Sequence, residues 1–109
     1  MPLEEDHVVP GNPRARKSEP MVIDLVNARA LALGHEYFEQ PSDAVIRKIR
    51  PGDFVKVCRR GERLWVRVTG FVGRRYHGQI ANEPIRNLDL AFGDQIYFER
   101  KNIYDVMSA

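Results

Sequence analysis

Apolar and polar positions follow two different periods along this chain, and the change falls about half-way along it. Residues 20–38 are apolar on most sides and contain many strong helix formers, which predicts one helix that lies against another part of the molecule. Residues 42–49 predict a second short helix, with Ser42 as its N-cap and with an end imposed by Pro51.

In the second half of the chain, apolar and polar residues alternate, as they do in strands that bury one face. The segment RLWVRVTGF shows this best, since Leu64, Val66 and Val68 point to one side and the residues between them to the other. Gly70 and Gly78, inside these strands, favour bends or bulges. The predicted strands cover residues 53–58, 63–71, 75–82, 95–100 and 102–106.

These patterns predict an α+β fold in three parts. Residues 51–109 are expected to form a small, strongly bent antiparallel β-barrel of about five strands. Residues 20–50 are expected to form one or two helices that precede the barrel and pack on it. The proline-containing residues 1–19 are expected to be a flexible tail.

The predicted barrel resembles the bacterial family catalogued as domain of unknown function 2314. The shared pattern opens a strand with Trp-Val, places a glycine in the next strand, ends that strand with Asn-x-Pro, and has Gly-Asp and Ile-x-Asp further on. The matching residues are Trp65, Val66, Gly78, Asn82, Pro84, Gly93, Asp94, Ile103 and Asp105. The chain departs from the family at Leu64 and Val106, where the family has aromatic residues. The resemblance implies an SH3-like barrel over residues 52–106 and no particular function.

The charge of the chain is concentrated in one stretch. The net charge is only +2, but residues 44–78 carry ten basic and two acidic side chains, a net charge of +8, while the flanking segments are acidic. A charge asymmetry of this size can steer an anionic partner, either a nucleic acid or an acidic protein.

Several classes of site have no counterpart in the sequence. No metal-ligand spacing, nucleophile elbow or phosphate loop occurs, so we expect a protein that is not an enzyme and uses no cofactor. Cys58, the single cysteine, is interpreted as a partly buried strand residue, and the lack of a disulfide partner favours a cytoplasmic location. The apolar stretch 21–33 is too short to cross a bilayer, so no membrane partner is expected.

The function that the sequence favours is binding through a basic, partly aromatic surface. Along strand 63–71, the arginines, Trp65 and Phe71 are expected to share one face, and further arginines lie at the two hairpin ends. Guanidinium groups contact phosphates and aromatic rings stack on unpaired bases, which indicates a binding module for single-stranded DNA or RNA. The predicted contact residues are Arg59, Arg60, Arg63, Trp65, Arg67, Arg74 and Arg75.

Two alternatives stay open at this point. The helix over 20–38 could cover Trp65 and Phe54, in which case the arginines only surround a core and their stems cover apolar surface. The protein could instead be a protein-interaction or structural module, including a homodimer, because an apolar helix and the open edges of short strands offer docking surfaces.

Overall fold

A computed structural model of the chain describes residues 19–33 and 40–109, so most of the predicted tail lies outside the described residues. The described elements are α1 (Ala28–Leu33), α2 (Asp43–Arg47), β1 (Phe54–Arg59), β2 (Glu62–Val72), β3 (Arg75–Ile80), β4 (Gln95–Phe98), a 3-10 turn (Arg100–Asn102) and β5 (Asp105–Met107). The strands form one antiparallel sheet in the order β4-β3-β2-β1-β5. The predicted antiparallel strands and the helices before them are therefore confirmed. None of the helices among these residues is long and apolar enough to span a membrane.

Two tight turns create the central hairpins because their residues accept positive φ. Arg60 and Gly61, at φ +52° and +81°, join β1 to β2 in the pattern of a type I′ turn. Gly73, at φ +62°, takes the first central position of the turn from β2 to β3. Turns of this kind match the right-handed twist of paired strands, so β1, β2 and β3 follow one another directly in the sheet.

A bulge in β2 reverses the facing of its last residues. The pairing register with β3 shifts between Val68 and Gly70, so that Thr69 is an extra residue. Each residue of β2 after the bulge therefore faces the side opposite to the one that simple alternation predicts. Phe71 lies opposite Tyr76, on the side of the core. The prediction that Phe71 shares a face with the preceding arginines and tryptophan of this strand was wrong for this reason.

The core lies on one face of the sheet and consists mainly of the alternate apolar positions of the strands. The fully buried side chains include Val55, Val57, Leu64, Val66, Val68, Ile80, Ile96, Phe98 and Ile103. Helix α2 adds Ile46, and Ile49 follows it into the same cluster. The hydroxyl of Ser42 accepts the N–H of Val45 at 3.3 Å, which confirms the predicted N-cap of this helix. Each fully buried aliphatic side chain contributes roughly 1.5–3 kcal/mol, so this face holds the sheet together.

The segment that precedes α1 is not helical, which corrects the helix predicted over residues 20–38. The side-chain oxygen of Asn27 accepts the N–H of Ala30 at 3.0 Å and caps the helix, so α1 begins directly after it. Upstream of this cap, alternate apolar side chains pack on the core: Met21, Ile23 and Leu25. Residues 34–38 of the predicted helix lie outside the described residues.

The same N-terminal segment contacts β4, at one end of the strand order, and β1, near the other end. The N–H of Met21 donates to the carbonyl of Gln95 at 2.8 Å, and its carbonyl accepts the N–H of Tyr97 at 2.9 Å. Further along, the N–H of Val26 donates to the carbonyl of Cys58 in β1 at 2.9 Å. No ladder joins β4 to β5 within the described residues, so the strands form an open sheet and the predicted closed barrel is not confirmed.

Candidate functional site

Arg59, predicted to be an exposed contact residue, is buried and ties together three parts of the chain. It is 4% exposed, and its guanidinium donates to both carboxylate oxygens of Asp89 at 2.9 and 3.0 Å, and to Asn87 and Asp24 at 3.0 Å each. The side-chain hydrogen bonds from Arg59 lower the pKa of Asp24 and of Asp89, and the bond to Asp89 is the main cause of a raised Arg59 pKa. Arg59 therefore joins β1 to the 81–94 loop and to the N-terminal segment, and its prediction as an exposed contact was wrong.

The side chain of Glu62, the first residue of β2, binds backbone N–H groups of the same loop. The carboxylate accepts the N–H groups of Ile85, Arg86 and Asn87 at 2.6, 2.9 and 3.0 Å, and also the side-chain amide of Asn87 at 2.8 Å. These hydrogen bonds, with the one from Ile85 as the largest cause, lower the pKa of Glu62 to about 2. The loop after β3 is therefore held in place by the β1–β2 hairpin.

Two further arginines near this hairpin are exposed but already engaged. Arg60 lies 3.7 Å from a carboxylate oxygen of Asp24, and the guanidinium carbon of Arg63 lies 5.5 Å from the ring centroid of Tyr104. Exposed contacts of this kind contribute little free energy, so both side chains can exchange them for another anionic partner.

The side of the sheet away from the core, called the outer face from here on, carries another part of the predicted site. By strand pairing, its residues are Phe54, Lys56, Cys58, Arg63, Trp65, Arg67, Arg75, His77, Gln79, Gln95, Tyr97, Asp105 and Met107. Of these, Cys58 is buried, and Arg63, Asp105 and Met107 are exposed. Lys56 pairs with Trp65 and Phe54 pairs with Arg67, so that basic and aromatic side chains are direct neighbours. The ammonium group of Lys56 lies 4.8 Å from the ring centroid of Trp65. Arg67 is also exposed, and the remaining side chains are half-buried.

Helix α1 packs at the end of β1 and does not bury Trp65. Ala28 forms a small buried cluster with Cys58 and Tyr104. Trp65 and Phe54 stay half-buried and belong to neither buried cluster of the described residues. In the described part of the chain, α1 therefore covers the Cys58 end of the outer face but does not bury Trp65 or Phe54.

A groove with a volume of about 580 Å³ lies between the β2–β3 hairpin, the 3-10 turn and α1, and it is called the basic groove below. Its walls are formed by Arg29, Phe71, Gly73, Arg74, Arg75, Tyr76, Glu99, Arg100 and Lys101. Five of these side chains are cationic and one is anionic, so the groove attracts anions.

The cations of the basic groove differ in how they are held. Arg29 and Lys101 each pair with a carboxylate, at 3.4 and 3.9 Å, in exposed positions. The guanidinium of Arg75 lies 3.9 Å from the ring centroid of Tyr97. Within residues 19–33 and 40–109, no ion pair involves Arg100 or Arg74. These two guanidinium groups are therefore the ones most available to a ligand.

The groove also has one open aromatic ring. Phe71 meets Tyr76 edge-on with the ring centroids 5.1 Å apart, and Tyr76 in turn stacks on Phe98 at 5.2 Å. Phe71 is 48% exposed, whereas the other two rings are buried. The buried rings hold Phe71 in position, and its free surface suits a flat partner.

The sequence indicated two of the groove cations and missed three. Arg74 and Arg75 were predicted as contacts, but Arg29, Arg100 and Lys101 lie in segments whose net charge is negative. The antiparallel pairing of β3 with β4 places the residues that begin β3 beside those that end β4, and it would have indicated Arg100 and Lys101. The pairing itself could not be deduced, because a long loop separates these two strands.

The single cysteine of the chain is packed in a small buried cluster. Cys58 is 8% exposed and lies beside Tyr104, whose pKa is raised by burial and by the neighbouring thiol. The prediction that Cys58 is a strand residue is confirmed, and the side chain is buried more completely than the predicted partial burial. In the part of the chain that the structure describes, no group of three or more His, Cys, Asp or Glu side chains could hold a metal ion.

Comparisons with known proteins found no relative. No protein-family model matches the chain, and neither the curated proteins nor the solved structures contain a match. The resemblance to domain of unknown function 2314 therefore stays a prediction, and the geometry of the candidate site is the remaining evidence on function.

Proposed function

We propose that this protein is a non-enzymatic binding module whose basic groove holds single-stranded nucleic acid. The observation that carries the proposal is one groove that combines an open aromatic ring with two guanidinium groups, Arg74 and Arg100, for which the described residues supply no ion-pair partner. Arginine contacts phosphate and an aromatic ring stacks on an unpaired base, so the groove suits both parts of a nucleotide chain. A duplex hides its base faces, and the open ring of Phe71 therefore favours an unpaired strand.

The groove residues divide into two roles in this proposal. Arg74 and Arg100 contact phosphates, because neither has another anionic partner in the described residues. Phe71 carries the base, and Arg75 is oriented by its contact with Tyr97. Arg59 has no role in binding, because its donors are used inside the fold.

We also propose that the sheet is an SH3-like barrel that the N-terminal segment completes. The bulge at Thr69 supports this, since bulges bend a sheet, and so do the hydrogen bonds from Met21 to β4 and from Val26 to β1. Small barrels of this type serve many binding functions. The unpaired, buried Cys58 favours a cytoplasmic setting.

A binding titration tests the groove. Fluorescence anisotropy with labelled oligothymidylate and oligouridylate of about ten nucleotides, at about 50 mM salt, is expected to show binding that weakens as salt rises. Replacing both Arg74 and Arg100 with glutamine is expected to lower the affinity by about tenfold or more, because two charge-assisted contacts are lost.

The matched control removes two charges from the end of α2, outside the groove. The double variant Arg47→Gln, Lys48→Gln changes the net charge equally at exposed positions and is expected to bind nearly as well as the wild type. Equal losses in the two double variants, or a wild-type protein that binds neither oligonucleotide, would rule out a groove of this function.

A protein-interaction module is the second candidate, and one surface favours it. The loop between β3 and β4 exposes Ile85, Leu88 and Phe92 by 80%, 82% and 59%. Glu62 fixes the backbone of this loop, so the apolar side chains are presented in a fixed arrangement, as at interaction surfaces. Light scattering over a range of concentrations tests the homodimer. A dimer that Leu88→Ser converts to monomer would support it, and a monomer throughout would exclude it.

A further inference from the structure

The basic groove continues beyond the β2–β3 hairpin. A second cavity of about 230 Å³ shares Arg75, Glu99 and Lys101 with the groove and adds Tyr97 to its walls. The guanidinium of Arg75 lies over the ring of Tyr97 at 3.9 Å. Tyr97 pairs with His77 on the outer face, so Arg75 marks the place where the basic groove meets that face.

From Arg75, the outer face leads to Trp65 through neighbouring side chains. Arg75 and Gln79 lie on the same side of β3, four residues or about 13 Å apart. Gln79 pairs with Arg67 of β2, and Trp65 is two residues from Arg67 on the same side. The ammonium group of Lys56 lies 4.8 Å from the Trp65 ring. With His77 between Arg75 and Gln79, polar, cationic and aromatic side chains thus line the outer face across three strands, and the carboxylate of Asp105, which pairs with Lys56, limits the cationic part at its far end.

We infer that a single strand bound in the basic groove continues over Arg75 and Tyr97 onto the outer face and stacks a base against Trp65. The inference rests on the proposed function of the groove and adds a second subsite to it. The outer face repeats the chemistry of the groove, because the exposed cation Arg67 lies on it beside two half-buried aromatic rings, Phe54 of the paired strand and Trp65 of its own strand. The full site then holds about 4–8 nucleotides, more than the groove alone.

The single tryptophan of the chain provides a direct readout of this second subsite. In a titration of the full chain with unlabelled oligothymidylates, strands of about three nucleotides are expected to bind without a change in Trp65 emission. Strands of about eight nucleotides are expected to quench the emission and to bind at least about fivefold more tightly, since each base–aromatic stack adds this much affinity or more.

Two substitutions separate the groove from the outer face. Arg67→Gln is expected to lower the affinity gained with length, because it removes the phosphate contact beside the stacked base, and to leave the binding of short strands unchanged. Arg74→Gln is expected to weaken short and long strands alike. Trp65→Phe keeps a ring at this position and is expected to retain most of the gain, and circular dichroism checks that each variant is folded.

The outcomes distinguish this inference from the proposed function on which it rests. If long strands bind without a change in Trp65 emission, and their added affinity survives Arg67→Gln, the extension over the outer face is wrong and the groove proposal stands. If oligonucleotides of every length fail to bind, both are wrong.

Discussion

Gly78 illustrates at the scale of one residue how packing accounts for a position that the sequence singled out. A Cβ at this position would collide with the carbonyl oxygen of Arg67 and lie 2.7 Å from Cγ1 of Val66 on the neighbouring strand. The two strands approach this closely only because the residue has no side chain.

Other residues of the sequence pattern that contains Gly78 also have structural roles. The side-chain oxygen of Asn82 accepts the N–H of Trp65 at 2.6 Å, and this contact fixes the strand end before Pro84. Asp94 is fully buried, and its carboxylate accepts the N–H of Ala91 at 2.9 Å in the turn that leads to β4. The pattern therefore describes the sheet, and the groove residues fall outside it.

The Gly78 contact leads to a test with an internal control. Gly78→Ala is expected to lower the free energy of unfolding by about 2 kcal/mol, because the backbone of β2 cannot move aside without breaking its ladder. Gly70→Ala is expected to cost less, since its added Cβ meets only the ring of His77, a side chain that can shift at the cost of one hydrogen bond to Thr69. Urea unfolding measures both, and a Gly78→Ala variant no less stable than Gly70→Ala would contradict this account.

The adjacent arginines Arg59 and Arg60 provide a second comparison. Arg59→Met removes the donors that satisfy Asn87 and Asp89 and is expected to lower the free energy of unfolding by about 2–3 kcal/mol. Arg60→Asn is expected to be neutral or to stabilise by about 0.5 kcal/mol, because asparagine suits the φ of +52° in a type I′ turn. Chemical denaturation checks the pair. An Arg59→Met variant as stable as the wild type would contradict the structural role of Arg59.

At the scale of elements, the strands were predictable and the N-terminal segment was not. The buried face of each strand is visible in the sequence as alternate apolar residues, and β1 to β4 lie close to their predicted bounds. Over 21–25 the packed side chains alternate as in a strand, but the exposed Val22 is apolar too, so the sequence does not show this alternation, and the segment adjoins the helix formers of α1. Intrinsic preference therefore extended the predicted helix too far, and only the contacts with β4 decide the conformation.

The junction between the β1–β2 hairpin and the 81–94 loop is expected to respond to acid through Glu62. The pKa of Glu62 falls from 4.5 to about 2 on folding, so this carboxylate stabilises the fold above pH 4.5 and loses that contribution as the pH falls toward about 2. Glu62→Gln is expected to lower the free energy of unfolding at neutral pH and to flatten its decline between these two pH values.

Unfolding measured at a series of pH values checks this expectation. Glu83→Gln is the matched control, because it removes the same charge from an exposed residue near the same loop. It is expected to leave the pH dependence as it is in the wild type. An equally steep decline in Glu62→Gln would mean that other carboxylates, such as Asp24 and Asp89, account for the acid sensitivity.

At the scale of the whole molecule, the candidate site is assembled from parts that the sequence keeps apart. The +8 stretch supplies Arg74 and Arg75, whereas Arg29, Arg100 and Lys101 come from the two acidic flanks. Counting charge by segment therefore located the basic region but could not outline the groove. The fold also buries one predicted contact residue, Arg59. Its burial could not be predicted, because the carboxylates that bind it, Asp24 and Asp89, are distant in the sequence.

The salt dependence of binding measures how many phosphates the assembled surface neutralises. For single strands, the logarithm of the affinity falls by about 0.7 per phosphate for each tenfold rise in salt. Replacing Arg74 and Arg100 with glutamine is therefore expected to make this slope shallower by about 1.4, and Arg67→Gln by about 0.7 for long strands only. The Arg47→Gln, Lys48→Gln control is expected to keep the wild-type slope, since these two side chains lie outside the groove and neutralise no phosphate of the bound strand. Anisotropy titrations at several salt concentrations give these slopes, and an unchanged slope in the groove variant would place the phosphates elsewhere on the molecule.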